Sequence, residues 1–236
     1  MLDSRSLAAS LIPQNQSVGH KQQVWQLIAR RNLKPISSQQ IMFVGSSIFR
    51  LWKTLESDMY PLPVVNQAFG GSKTWEVLYY ADKLIIPYQP KIVVYYCGSN
   101  DINVGSDAAG IQQRFQMFAE YIKTHLPQTQ IFFVAINRAP QKQQKWHVVD
   151  AANNAIRQYT EKTLNLEFID VNPALFNDQN QPRSDLFTGD RVHLKPAAYQ
   201  AFTAIIKPIL QDAWDKLSSS ESRFGRLANA PYKHPY

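Results

Sequence analysis

Lys91-Ile92-Val93-Val94-Tyr95-Tyr96-Cys97 is apolar at every position after its lysine and rich in β-branched and aromatic side chains. A strand with one face in water alternates apolar and polar residues; one covered on both faces reads as an unbroken apolar run. These seven residues therefore read as the central strand of a parallel sheet. Gly98-Ser99-Asn100-Asp101 follows at once, at the carboxyl edge where open α/β sheets place their ligand sites.

Upstream, Ile41-Met42-Phe43-Val44 is a second such run, and it too stops at a glycine, in Gly45-Ser46-Ser47. Residues 64–69, 131–136 and 166–171 read as three more strands. Helical spacing fills the intervals. Val24, Leu27 and Ile28 give residues 20–32 one apolar face; Trp75, Leu78, Tyr79 and Leu84 do so for 74–86, which Pro87 and Pro90 close; Ile111, Phe115, Phe118 and Ile122 do so for 108–125. Helices are also expected to start over 48–55 and to cover 148–164 and 196–217, the last with Pro196 in its first turn. Five strands alternating with helices predict one doubly wound α/β domain over 21–217, with an N-terminal arm at 1–20 and a Ser-rich C-terminal tail at 218–236.

At 236 residues and 44% hydrophobic, the chain has enough mass for one sizeable core. Its single cysteine, Cys97, excludes an intrachain disulfide. No apolar stretch is long enough to span a membrane, and the first residues make a poor secretion signal, so a cytoplasmic protein is expected. The net charge of +7 comes from scattered residues rather than a stripe; no nucleic-acid partner is expected. Nothing in the sequence sets an oligomeric state.

Of nine glycines, Gly45, Gly70, Gly71, Gly98 and Gly189 fall just after strands or just before Asp190-Arg191-Val192-His193. Ser46 and Ser47 are candidate nucleophiles, and a serine hydroxyl needs a base at neutral pH. His20 and His234 fall in the arms, His125 at a helix end and His147 at a helix start. His193 differs, because Asp190 precedes it by three residues. That spacing lets the carboxylate reach one ring nitrogen while the other faces the serine. The Asn100 amide suits a donor to a developing oxyanion, or an Asx turn or helix cap; Asp101 reads as a cap for the segment after it. No metal-ligand spacing, Gly-x-Gly-x-x-Gly or phosphate-loop motif occurs, so no metal or cofactor is expected. Gly-x-Ser-x-Gly fails because Phe49 fills its last place.

Gly45-Ser46-Ser47-Ile48, the stretch from Asn66 to Ser72, Gly98-Ser99-Asn100-Asp101 and Asp190-Arg191-Val192-His193-Leu194 resemble, in order and spacing, the four blocks of the SGNH hydrolases, also called GDSL esterases/lipases. The likeness covers roughly residues 20–217, and Ser47-Ile48-Phe49-Arg50-Leu51-Trp52 with Phe69-Gly70-Gly71-Ser72 is similar to a bacterial branch near acetylhydrolase-like members. It implies a flavodoxin-like three-layer α/β/α fold with a five-stranded parallel sheet. By the same resemblance Ser47 is the nucleophile, His193 the base and Asp190 its orienting group, with the Ser47 and Gly71 N–H groups and the Asn100 side chain as the oxyanion hole. Ser46 stands where the family has aspartate, which leaves it a rival nucleophile.

The implied activity is ester hydrolysis through an acyl-enzyme on a small-molecule, lipid or carbohydrate ester. Lysophospholipase or thioesterase activity, a non-catalytic binding protein on the same scaffold, and a nucleotide site at Gly45-Ser46-Ser47 are the competing readings. With few apolar residues near the motif loops, short acyl groups such as acetyl are favoured. Trp52, Trp75, Tyr79, Tyr80 and Trp146 are pocket or core aromatics, Arg50 and Arg191 are candidates to meet an anionic group, and the loop 172–189, with Phe176, Leu186 and Phe187, is expected to shape the acyl side.

Overall fold

The apolar runs pair side by side. In the computed structural model, which describes residues 3–33 and 40–228, β1 (Ile41–Gly45), β2 (Val64–Asn66), β3 (Ile92–Tyr96), β4 (Gln130–Val134) and β5 (Leu166–Ile169) form one parallel sheet in the order β2-β1-β3-β4-β5. Ile41 pairs with Ile92 and Gly45 with Tyr96, so the loops after β1 and β3, which carry Ser47 and Asn100, leave the sheet side by side. β3 is central and buried along its whole length, as its unbroken apolar sequence requires.

Alternate strand residues feed two cores. Met42, Val44, Val93, Tyr95 and Phe133 face one layer, which holds α1 (Ser4–Ala9), α2 (Lys21–Leu33), α5 (Thr74–Tyr79), α6 (Ala81–Leu84), α8 (Ala108–His125) and α9 (Trp146–Glu161). Ile41, Phe43, Val94, Tyr96 and Phe132 face the other, which holds α3 (Ser47–Arg50), α4 (Leu55–Met59) and α10 (Pro196–Ala228). A short α7 (Ser99–Asn103) follows β3. The result is the three-layer α/β/α sandwich, with crossovers of the length that parallel pairing demands.

Several elements depart from the periodicity: the strand read over 64–69 ends at Asn66, and the helix begun over 48–55 stops at Arg50. The helix expected over 74–86 is split, because Tyr80 leaves helical geometry where its hydroxyl donates to the Gly19 carbonyl. The last helix runs past Leu217 to Ala228, and within it the Ser218 and Ser219 hydroxyls donate back to the Trp214 and Lys216 carbonyls at 2.9 Å each. In the stretch read as an N-terminal arm, α1 buries Ala8, and Ser4 donates to Asp82 and to the Tyr79 carbonyl. Residues 1–2 of that stretch, and 229–236 of the expected tail, lie outside the described residues. No described helix is long and apolar enough to cross a membrane.

Candidate active site

Ser47 opens α3 directly after β1. The turn depends on Gly45, whose φ is +126°; a Cβ there would lie 1.9 Å from the Tyr96 carbonyl oxygen. Ser46 continues the ladder by donating its N–H to Tyr96 O at 2.9 Å, and its own carbonyl accepts from the Phe49 and Arg50 N–H groups. As the first helical residue, Ser47 has an N–H with no acceptor inside its helix. The Tyr199 hydroxyl of α10 donates to the Ile48 carbonyl at 2.8 Å and ties the short helix down.

The Asp190–His193 loop reaches the same point from the far end of the chain. Phe187 and Leu194 form an antiparallel bridge at its neck, and Arg191 takes a left-handed φ of +58° at its tip. His193 Nε2 lies 2.9 Å from Ser47 Oγ, and Nδ1 lies 2.6 Å from Asp190 Oδ2. A carboxylate only accepts, so Nδ1 carries the ring proton and Nε2 turns its lone pair to the serine hydroxyl. Asp190 Oδ1 accepts from the Thr188 hydroxyl and from the Val192 and His193 N–H groups. Partial desolvation pushes the carboxyl up, but the His193 N–H, the Thr188 hydroxyl, the Val192 N–H and the imidazole outweigh it and hold it well below the usual range.

The Gly70–Gly71 turn follows β2 and is laced to β1 by Phe69 N–H donating to Gly45 O at 3.0 Å. Gly70 spends its N–H on Gln23 Oε1 at 2.9 Å, and its carbonyl accepts from Gln23 Nε2 at 3.1 Å. Gly71, at φ +78°, backs onto the His20 ring, whose Cε1 would stand 2.9 Å from an added Cβ. His20 in turn lies 3.4 Å from the buried Glu76 carboxylate. Asn100 lies in the first turn of α7 and gives one amide N–H to Ser72 O at 3.0 Å, which leaves the second free to donate.

The Ser47, Asn100 and Asp190–His193 loops border a cavity of about 310 Å³ lined by Ser46, Ser47, Ile48, Ser99, Asn100, Asn103, Gln141, Asp190, Val192 and His193; Gly70 and Gly71 are not among its lining residues. Serine, imidazole and carboxylate in a hydrogen-bonded line beside a cavity is an arrangement suited to nucleophilic attack on a carbonyl. A larger cavity of about 550 Å³ lies at the β4–β5 edge and shares no lining residue with the first. Its arginines are spent on its own carboxylates, Arg138 on Asp150 at 2.6 Å and Arg157 on Asp170 at 2.9 Å. It holds no serine, cysteine or histidine, so the smaller cavity is the one equipped for acyl transfer.

The profile of the GDSL-like Lipase/Acylhydrolase family matches residues 45–201. The chain belongs to that family. It is a carboxylic ester hydrolase. Solved structures share the fold at low identity. A Streptococcus pneumonia protein provisionally named a platelet activating factor has a TM-score of 0.70 at 21% identity, covering 80% of this chain and 92% of that one. A GDSL-like lipase from Bacteroides thetaiotaomicron gives 0.66 at 16%, covering 80% and 98%. A variant of an acetyl-xylooligosaccharide esterase from Geobacillus Stearmophilus gives 0.60 at 18%, covering 72% and 93%. No curated protein matches the chain.

Within this hydrolase several side chains lie elsewhere than expected. Asp101 does not cap the segment after it, which Asp107 caps by accepting from the Gly110 N–H. It accepts from the Thr74 N–H at 3.1 Å and from the Thr74 hydroxyl, across 27 residues, and pairs with Arg114 at 3.5 Å; α5 begins with N–H groups that have no acceptor inside their helix. Trp52 and Trp75 belong to the cores, and none of the five candidate aromatics lines the site cavity. The 172–189 loop turns Leu186 and Phe187 into the core and Phe176 against Trp146, and none of the three lines the site cavity. Arg50 Nε would stand 2.5 Å from a Cβ on Gly70, placing that cation beside the turn. Arg191 meets the site through its backbone, its carbonyl accepting from Gln141 N–H at 3.2 Å. Sequence reasoning missed Thr188, Gln141 and Gln23; only Thr188, a hydroxyl two residues before Asp190, carried a local signal.

Proposed function

We propose that the protein is a serine esterase that acts through an acyl-enzyme on short-chain, acetyl-type esters of small molecules or carbohydrates. The observation that carries this reading is the hydrogen-bonded line from Ser47 through His193 to Asp190 on the wall of a cavity of only about 310 Å³. Only Ile48 and Val192 among its lining residues are aliphatic, a poor lining for a long acyl chain. The solved structures of an acetyl-xylooligosaccharide esterase and of a carbohydrate esterase from Talaromyces cellulolyticus, which share the fold, are in keeping with a sugar-borne acetyl group.

In the proposed cycle Ser47 Oγ attacks the ester carbonyl as His193 Nε2 takes its proton. Asp190 holds the ring and stabilises the imidazolium. The oxyanion is met by the Ser47 N–H, the Gly71 N–H and the free N–H of Asn100, and His193 returns the proton to the leaving alcohol. Water, deprotonated by His193, then releases the acid and regenerates the hydroxyl.

The test is a series of p-nitrophenyl esters from acetyl to palmitoyl, with acetylated xylan beside it and fluorophosphonate labelling mapped by mass spectrometry. Acetyl is expected to be hydrolysed fastest, with the adduct on Ser47 and both signals lost in Ser47→Ala. An adduct on Ser46 overturns the nucleophile, and a palmitoyl optimum overturns the substrate class in favour of a lipid hydrolase.

A further inference from the structure

Lys142 is a buried cation that the proposed cycle does not use. Its residue is 5% exposed, and no carboxylate lies within ion-pair distance of it among the described residues. Its Nζ instead donates to the Ser99 carbonyl at 2.8 Å and to the Ser99 hydroxyl at 2.5 Å. Burial lowers its pKa to about 8, Lys145 adds repulsion, and Asp101, itself paired with Arg114 of α8, pulls the other way. A buried ammonium without a paired anion is costly. It is placed here where its bonds reach one turn, and that turn carries Asn100.

The connection is covalent as well as spatial. The Ser99 carbonyl is half of the peptide unit whose nitrogen belongs to Asn100, so fixing that oxygen fixes the plane from which the Asn100 side chain departs. Ser72 O holds one amide N–H of Asn100; the direction of the other follows from where the turn is held. Lys145, on the same segment, donates to the Ile102 carbonyl at 3.0 Å, so two ammonium groups grip the carbonyls of a five-residue helix. Between them and the His193 loop lies Gln141, which lines the site cavity and donates its N–H to Arg191 O. The 140–145 segment thus spans the Asn100 turn and the base-bearing loop.

We infer that Lys142 is a positioning residue for Asn100: its ammonium locks the Ser99–Asn100 peptide and so aims the amide N–H at the place where the oxyanion forms. The inference rests on the esterase reading above. A misplaced donor weakens the transition state more than the bound ester, so the effect falls on kcat.

The experiment is a double-mutant cycle on p-nitrophenyl acetate with wild type, Lys142→Met, Lys142→Gln, Asn100→Ala and the Lys142→Met/Asn100→Ala pair. Lys142→Met is expected to lower kcat about 10- to 100-fold, with KM within about threefold, since loss of a whole oxyanion donor costs roughly 100- to 1000-fold. Lys142→Gln, which keeps an N–H donor near the same place, recovers part of the loss. On the Asn100→Ala background Lys142→Met costs no more than about twofold, because the group it positions is gone. An unchanged kcat in folded Lys142→Met, or the full loss repeated on Asn100→Ala, overturns the inference; if Lys142→Met does not fold, Lys142→Gln carries the same cycle, and failure of both to fold assigns Lys142 to stability alone and also overturns it. Absence of turnover and of Ser47 labelling in the wild type instead overturns the esterase reading, and this inference with it.

Discussion

Gln23→Ala tests whether the Gly70–Gly71 turn is held from outside the sheet. Gln23 lies in α2, and its amide grips Gly70 at two points, donating at 3.1 Å and accepting at 2.9 Å. Each such bond contributes about 0.5–1.5 kcal/mol net, and Gly70 is buried, so its N–H would lose its partner in a place water reaches poorly. The loss should total about 1–3 kcal/mol. For a chain of this size each kcal/mol moves Tm by about 2–4 °C, so a fall of roughly 2–12 °C is expected. The kinetic effect is separable. Gly71 follows directly, and if its N–H meets the oxyanion, freeing the turn should lower kcat about tenfold, short of the 100-fold or more for losing the donor outright. Calorimetry and steady-state hydrolysis of an acetyl ester on the same preparation read both numbers. A lowered Tm with unchanged kcat would mean that the lacing of Phe69 to Gly45 suffices to place Gly71, and an unchanged Tm would refute the bond energies assigned to the clamp.

Gly45→Ala should cost about 3 kcal/mol or more, because its Cβ meets the backbone of β3 rather than a side chain that could swing away, and φ is +126° besides; a urea midpoint within error of wild type would contradict this. Glu76 supplies the pH prediction. Burial raises its pKa, but the His20 ring and the Gly19 and Lys73 N–H groups outweigh that, so the folded value lies below the ordinary 4.5. A carboxyl depressed in the folded state adds stability that is present above its unfolded pKa and lost as pH falls through the folded one. Urea unfolding between pH 7 and pH 3 should therefore show a steeper acid loss in wild type than in Glu76→Gln, and parallel curves would remove Glu76 from the account.

What was legible in the sequence was what short range and periodicity dictate. The helix over 108–125 needed only its apolar stripe, and β3 only its unbroken run. The Asp190–His193 contact spans three residues and follows from loop geometry. Contacts closed by tertiary packing left no such trace. Gln23 and Gly70 are 47 residues apart, Lys142 and Ser99 are 43, and the polar partner in each is a backbone group that any sequence carries. Asp101 follows the same rule: a carboxylate ahead of a helical stretch suggests a cap for the segment after it, yet the N–H group it serves belongs to α5, 27 residues away. His20 looked like part of an arm because nothing near it in sequence says that it lies behind Gly71.

The groups that face the cavity are those left over when each loop has met its own backbone needs. Gly70 N–H goes to Gln23, one Asn100 N–H goes to Ser72 O, and Asp190 takes the inner nitrogen of His193. This subtraction also accounts for Ser46, the one departure from the family's first block. Its N–H continues the ladder to Tyr96 and its carbonyl starts α3, while its side chain makes no capping bond. The position works through its backbone, which serine supplies as well as aspartate does. At 1% exposed it also spares the fold a buried carboxylate. The substitution therefore leaves the line from Ser47 to Asp190 in place, and it is Ser47 Oγ that lies 2.9 Å from His193 Nε2.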